Sequence, residues 1–263
     1  MTHAMRLQFE AQGYLRFPFS QSLSKWAAAA RAAGMGALSD PAQAHWWRHQ
    51  HTWFVGVDGL PNDPDGTVLG GPPLTGEVID LVREYFGFSG PWHRAQVSVC
   101  RPGYPLRDGG ETEAQHRFRT SRDAAHVDGL HGEGPHKRRH LREFHHFILG
   151  LPLSEADADA APLVVWQGSH VIMREMFASS FAGISPQTWG EVDLTDTYKA
   201  ARNRVFAECP RVALPARVGE ATLVHRFALH GVAPWGENAG ASSEGRMIAY
   251  FRPEMADRLS WLG

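Results

Sequence analysis

Two residues one position apart carry the clearest chemistry in this chain. In His126-Val127-Asp128, the first and third residues of an extended segment project to the same side, so an imidazole and a carboxylate can grip one cation together. His230 is the candidate third ligand, because it ends the apolar segment GEATLVHRFALH and is followed by Gly-Val-Ala-Pro. Two histidines and one carboxylate on one face form the donor set of non-haem Fe(II) oxygenases, which leaves coordination positions open. Sixteen residues after His230, Arg246 opens the otherwise apolar RMIAYF. A guanidinium entering an interior strand needs an anion, and its planar fork suits a carboxylate.

These residues must be held by strands. From about residue 92 the chain reads as short strands bounded by turn residues: HRAQVSVCR, FHHFILGL, PLVVWQG, RVALPA, GEATLVHRF and GRMIAYFRP. Helical insertions are expected near Val171–Phe181 and Thr195–Glu208. Residues 1–90 read as α-rich, with helices near Ser22–Ala33, Pro41–His51 and 75–86, the last capped by Thr75 and stopped by Gly87. Short strands with long connections predict a mainly β fold with α decoration, a two-sheet jelly roll flanked by N-terminal helices. The irregular stretches 102–125 and 131–142 are long enough to suggest function.

In that order the pieces resemble the phytanoyl-CoA dioxygenase family of Fe(II)/2-oxoglutarate-dependent oxygenases. The resemblance runs from Phe9 and Gly13-Tyr14-Leu15 through AHVDG, APLVVWQGSH and LHGVAP to the strand opened by Arg246. It implies a double-stranded β-helix (cupin-like) fold in one domain spanning 1–263, helical over about 1–90 with its core over about 92–255. It implies Fe(II) bound by His126, Asp128 and His230, with Arg246 clamping the distal carboxylate of 2-oxoglutarate. Gln96, on the strand before the metal motif, is expected to take part in holding the co-substrate. His170, after Gly168-Ser169 at a strand-to-helix turn, is read as lining the pocket beside it. The implied activity is a dioxygenase that consumes O2, hydroxylates a small organic substrate and releases succinate and CO2. Two positions depart from the family pattern: Val232 stands where a Ser is often found, and Gly150 where a Trp is often found.

The 263 residues are 43% hydrophobic with a net charge of −2, which fits a globular core and gives no field to draw nucleic acid or an anionic membrane. Cys100 and Cys209 are too few for a disulfide scaffold, and the first residues lack the apolar core of a signal peptide. The expectation is a cytoplasmic enzyme with a small-molecule partner. The stretch His136-Lys137-Arg138-Arg139-His140-Leu141-Arg142 near the metal motif raises the expectation of an anionic substrate. His225, five residues before His230, faces away from the ligand by strand parity and reads as structural. His145 and His146 alternate, so at most one faces the site, and His146 is the choice. His45, His49 and His51 read as half-buried surface residues of a helix. The alternative functions are a non-catalytic metal- or ligand-binding protein on the same fold, and a zinc or manganese enzyme that would leave Arg246 unexplained.

Overall fold

Alternation along the segment opened by Arg246 sets the layering of the molecule. Met247, Ala249 and Phe251 pack in one apolar cluster with helix residues such as Trp26 and Val78. Ile248 and Tyr250, the residues between them, pack in another with Leu163, Val165 and Leu214. A period of two therefore assigns each strand residue to one of two cores.

The structure is a computed structural model that describes residues 2–263. In chain order it runs α1 (His3–Gln12), β1 (Tyr14–Phe17), α2 (Gln21–Ser39), β2 (Trp47–Arg48), β3 (Trp53–Phe54), α3 (Glu77–Phe86), β4 (Gln96–Cys100), α4 (Glu113–Ser121), β5 (Leu130–Glu133) and β6 (Arg138–Leu141). It continues with β7 (Phe147–Pro152), β8 (Leu163–Trp166), α5 (Ser169–Ser180), α6 (Thr195–Glu208), β9 (Arg211–Leu214), β10 (Ala221–His225), β11 (His230–Val232) and β12 (Arg246–Phe251). The large sheet has the order β1-β10-β7-β12-β4-β3-β2, a small one is β11-β8-β9, and β5-β6 form a separate hairpin; every pairing is antiparallel.

The outer face of the large sheet carries α2 and α3, whose buried residues share its cluster. The inner faces of the two sheets share a second cluster. The far side of the small sheet packs on α5 and α6 through Val164, Trp166, Met173, Phe177, Tyr198 and Val205. This is the mainly β, two-sheet jelly-roll arrangement with helical decoration, and the sheets do not close into a barrel.

Several local expectations change. The first ninety residues also supply three strands of the large sheet, because the alternating YLRF pairs with β10 and the Trp47–Phe54 hairpin pairs with β4. The expected helix at 41–51 is a 3-10 turn only as far as Trp46, after which His49, Gln50 and His51 take left-handed φ of 51°, 52° and 63°. The 75–86 helix begins at Glu77 on Gly76, so Thr75 is not its cap. Helices α1 and α4 were not foreseen. In α4, Thr112 and Gln115 form a capping box within the stretch expected to be irregular. His230 does not end a long strand: β10 stops at His225, the chain turns through Ala228 N–H onto the His225 carbonyl, and His230 begins β11 in the other sheet.

Candidate metal centre and its cavity

Ala125 and Val127 are buried in the apolar cluster beneath α5 and α6, which turns His126 and Asp128 to the opposite side. His126 and His230 face each other as an antiparallel pair that exchanges both backbone hydrogen bonds, at 2.8 and 3.0 Å, and their rings lie 4.6 Å apart. Two glycines next to the triad residues let neighbouring backbone pass close by. A Cβ on Gly231 would lie 2.1 Å from the Asp123 carbonyl, and one on Gly129, at φ 83°, would lie 2.2 Å from the Glu143 carbonyl.

The donor atoms of His126, Asp128 and His230 all lie within 4.8 Å of one another; no other group of three or more His, Cys, Asp or Glu among the described residues meets that geometry. His126 Nδ1 faces the Ala124 carbonyl at 3.0 Å and His230 Nδ1 faces the Ala228 carbonyl at 2.9 Å. A carbonyl only accepts, so each Nδ1 must carry the proton. In the neutral ring, Nε2 is then a bare lone pair. Both Nε2 atoms point at Asp128 Oδ1, at 3.3 and 3.6 Å, so three electron-rich atoms converge and a cation fits between them. Without a cation, burial works against the Asp128 charge, but Arg252 and the two histidines, each able to take a proton on Nε2 and donate it to Oδ1, outweigh it and hold the carboxyl well below its usual range; a cation would take the place of those Nε2 protons. Burial likewise pushes the His230 pKa down, but Asp128 outweighs it and the net shift is upward.

The triad opens on a cavity of about 240 Å3 between the sheets, lined by Trp53, Gln96, Ser98, Ile148, Leu163, Val232, Tyr250 and Arg252 among others. Gln96 stands on the cavity wall opposite Tyr250 in the β4–β12 register. Ser98 Oγ receives the Trp53 indole N–H at 3.1 Å. Arg246 lies deeper on the same face of β12, in a small recess with Gly150, Thr222 and Tyr250; Tyr250 and Leu163 line both spaces. Its guanidinium is buried, with Nη2 facing the Tyr250 hydroxyl at 3.5 Å and Nη1 without a partner. A buried, unpartnered guanidinium nitrogen calls for an anion. The Cys100 thiol beside it is pushed up to about 12 by burial and is no nucleophile.

Gly150 and Val232, the two positions singled out in the sequence, have distinct surroundings. Gly150 faces Tyr250 across β7–β12, and a Cβ there would lie 2.9 Å from that ring, so the tyrosine fills space a larger residue would take. Val232 lines the triad cavity, while Thr222 and Tyr250 line the Arg246 recess. Thr222 and Arg252 were missed. Parity along β12 places Arg252 on the face of Arg246, Ile248 and Tyr250, and could have flagged it.

Other expected residues do not join the centre. His170 is buried against His225 and Gly13, with Nε2 on the Glu10 carbonyl at 3.0 Å; it does not line the cavity because its ring is turned toward the end of α1. His225 packs among Phe9, His170 and Phe227, as parity required. Neither His145 nor His146 faces the triad, because β7 begins only at Phe147; both line a wider outer cavity of about 600 Å3 that shares Val57 and Arg252 with the inner one. In the basic stretch, Arg138 pairs with Asp193 and Arg142 with Glu133, and no residue of 136–142 lines either cavity.

No protein-family model and no curated protein matches the chain. Among solved structures it is similar to the non-haem α-ketoglutarate-dependent carbocyclase SnoK from nogalamycin biosynthesis, with 16% identity, a TM-score of 0.56, and coverage of 98% of this chain and 85% of that one. EctD from S. alaskensis, solved with 2-oxoglutarate and 5-hydroxyectoine, shows 15% identity, a TM-score of 0.49, and coverage of 96% and 75%. At these identities the likeness to SnoK is one of fold. Among the described residues no helix is long and apolar enough to cross a membrane.

Proposed function

We propose that the chain is an Fe(II)- and 2-oxoglutarate-dependent dioxygenase of the phytanoyl-CoA dioxygenase type that hydroxylates a small organic substrate. The observation that carries this reading is the convergence of two Nε2 lone pairs, freed by their Nδ1–carbonyl bonds, on one carboxylate oxygen. Arg246 supports it, since its partnerless Nη1 gives the reading an anion to hold.

When bound, Fe(II) with O2 and a 2-oxo acid supplies the oxidising power, and 2-oxoglutarate leaves as succinate and CO2. The protein's part is to bind, orient and keep the site dry. His126, Asp128 and His230 hold the ion. Arg246 takes the distal carboxylate of the co-substrate as a charge-assisted pair, with Thr222 and Tyr250 as neighbouring hydroxyls. Gln96 and Ser98 form the polar wall, while Trp53, Ile148, Leu163 and Val232 supply its apolar lining. The outer cavity sets Asp58, Glu143 and Glu254 against Arg252, with His93, His145 and His146 beside them, while the basic stretch lies outside it with Arg138 and Arg142 paired to Asp193 and Glu133. That balance favours a neutral or cationic polar substrate over the anionic one expected from the sequence.

The test is anaerobic addition of Fe(II) and then 2-oxoglutarate, watching for the weak visible charge-transfer band of an Fe(II)–2-oxo-acid chelate. A band that His230→Ala abolishes upholds the reading. Arg246→Ala should raise the 2-oxoglutarate requirement about a hundredfold, as expected for one partner lost from a buried charge pair. Metal binding without a band would favour the metal-binding alternative, and unchanged 2-oxoglutarate dependence in Arg246→Ala would remove the clamp.

A further inference from the structure

The two oxygens of Asp128 have separate surroundings. Oδ1 faces both histidine Nε2 atoms, while Oδ2 faces Arg252 Nη1 at 3.5 Å. The Asp128 side chain is 8% exposed, so little solvent competes for either oxygen.

Arg252 follows the last residue of β12, and its main chain is fixed independently of its guanidinium. Its N–H donates to His93 Nε2 at 2.7 Å, and the tautomer of His93 is set by Nδ1 on the Arg94 carbonyl at 2.7 Å. The Arg252 carbonyl accepts from His145 Nδ1 at 2.9 Å, and His145 Nε2 is held in turn by Glu143 at 2.9 Å. The two neighbouring histidines therefore brace the strand end that aims the guanidinium at Asp128.

We propose that Arg252 is a positioning residue of the metal centre, occupying Asp128 Oδ2 so that the carboxylate offers Oδ1 alone to the cation. This rests on the reading of His126, Asp128 and His230 as metal ligands. A carboxylate free of Arg252 can rotate, or bind through both oxygens and take a coordination position that the co-substrate needs. Electrostatics alone would act in the opposite direction, because a guanidinium near a dication repels it. The sign of the effect therefore separates positioning from mere proximity.

The experiment uses the full chain and Co(II) alone as probe, reading affinity by calorimetry and ligand geometry by the visible d–d absorption of bound Co(II). Arg252→Leu is expected to weaken Co(II) binding about 10- to 100-fold, in the range for lost outer-shell partners, and to change the d–d spectrum. Arg252→Lys, which restores a donor to Oδ2, is expected to recover much of the affinity. Because His93 and His145 hold the main chain, the metal-free variants should keep the wild-type circular dichroism, and Arg252→Lys serves as the folded comparison if the leucine variant does not. Unchanged or tighter binding in Arg252→Leu with an unaltered spectrum overturns the inference and leaves the metal centre standing. A wild-type protein that binds no Co(II) overturns both.

Discussion

Two clusters of histidine and carboxylate lie on either side of Trp53, and among the described residues only one of them brings three ligand-type atoms within 4.8 Å of one another. Trp53 lines the triad cavity, and its indole stacks on His49 with ring centroids 5.9 Å apart. Behind it, His49 Nδ1 lies 3.3 Å from Asp108 and 3.8 Å from Glu111, and His116 Nδ1 lies 3.5 Å from Glu111. By residue type this second group is as rich as the first. Its carboxylates, however, are partly engaged: Asp108 accepts the backbone N–H groups of His49 and Gln50 at 2.8 and 2.9 Å, and Glu111 Oε1 is paired with Arg119 at 3.1 Å, which leaves Glu111 Oε2 facing the two histidines. The triad instead spends each Nδ1 on a carbonyl and leaves its Nε2 lone pairs facing one oxygen. Ligand-type residues make a site when the surrounding backbone fixes their tautomers and leaves the converging atoms without donors. In the second cluster the same residue types hold down a loop.

The sharpest test of that difference is metal stoichiometry. One Co(II) per chain is expected, lost completely in Asp128→Ala and retained in Asp108→Ala; a second equivalent lost with Asp108 or His116 would break the comparison. A smaller effect is expected on stability. Asp108 satisfies two N–H groups on left-handed residues, a conformation that itself costs of order 1–2 kcal/mol per residue, so Asp108→Ala should lower unfolding free energy in urea by about 1 kcal/mol.

The smallest effect is a pH slope. Burial, aided by Arg119, holds the His49 pKa below the usual histidine value, against the pull of Asp108 and Glu111. The folded protein therefore binds fewer protons at His49 than the unfolded chain does. Its contribution to stability is present at neutral pH and is lost as pH falls from about 6.5 toward the depressed folded value. Thermal melts of metal-free protein between pH 7 and 5 should show this loss, and His49→Asn should flatten it. Asparagine tolerates the left-handed backbone there. An unchanged slope would mean that His49 does not titrate as a buried neutral ring.

Legibility from sequence followed how local each determinant was. The short β-prone runs RMIAYF and LVVW, bounded by turn residues, and the amphipathic spacing of α3 depend on neighbouring residues, and their element types were readable. The pairing of His126 with Asp128 is also local, needing only the two-residue repeat of extended chain. Arg246 was legible because a charge opening an apolar strand is an anomaly in itself. The helix at 41–51 failed because the backbone there is decided by a distant carboxylate, Asp108, that the spacing of His45, His49 and His51 could not announce. His146 failed because a shift of a few residues in the start of β7 changes which side chains reach the site.

The sequence by itself therefore determined that His126 and Asp128 share one side of an extended segment and that a guanidinium opens an apolar strand at Arg246, since these depend on short-range periodicity and on the cost of burying charge. Only the tertiary structure decided that His230 begins a strand in the second sheet, that His170 and His146 turn elsewhere, and that Arg252 reaches Asp128. Those outcomes depend on which carbonyls, carboxylates and strands meet across more than a hundred residues of chain, and no local spacing encodes them.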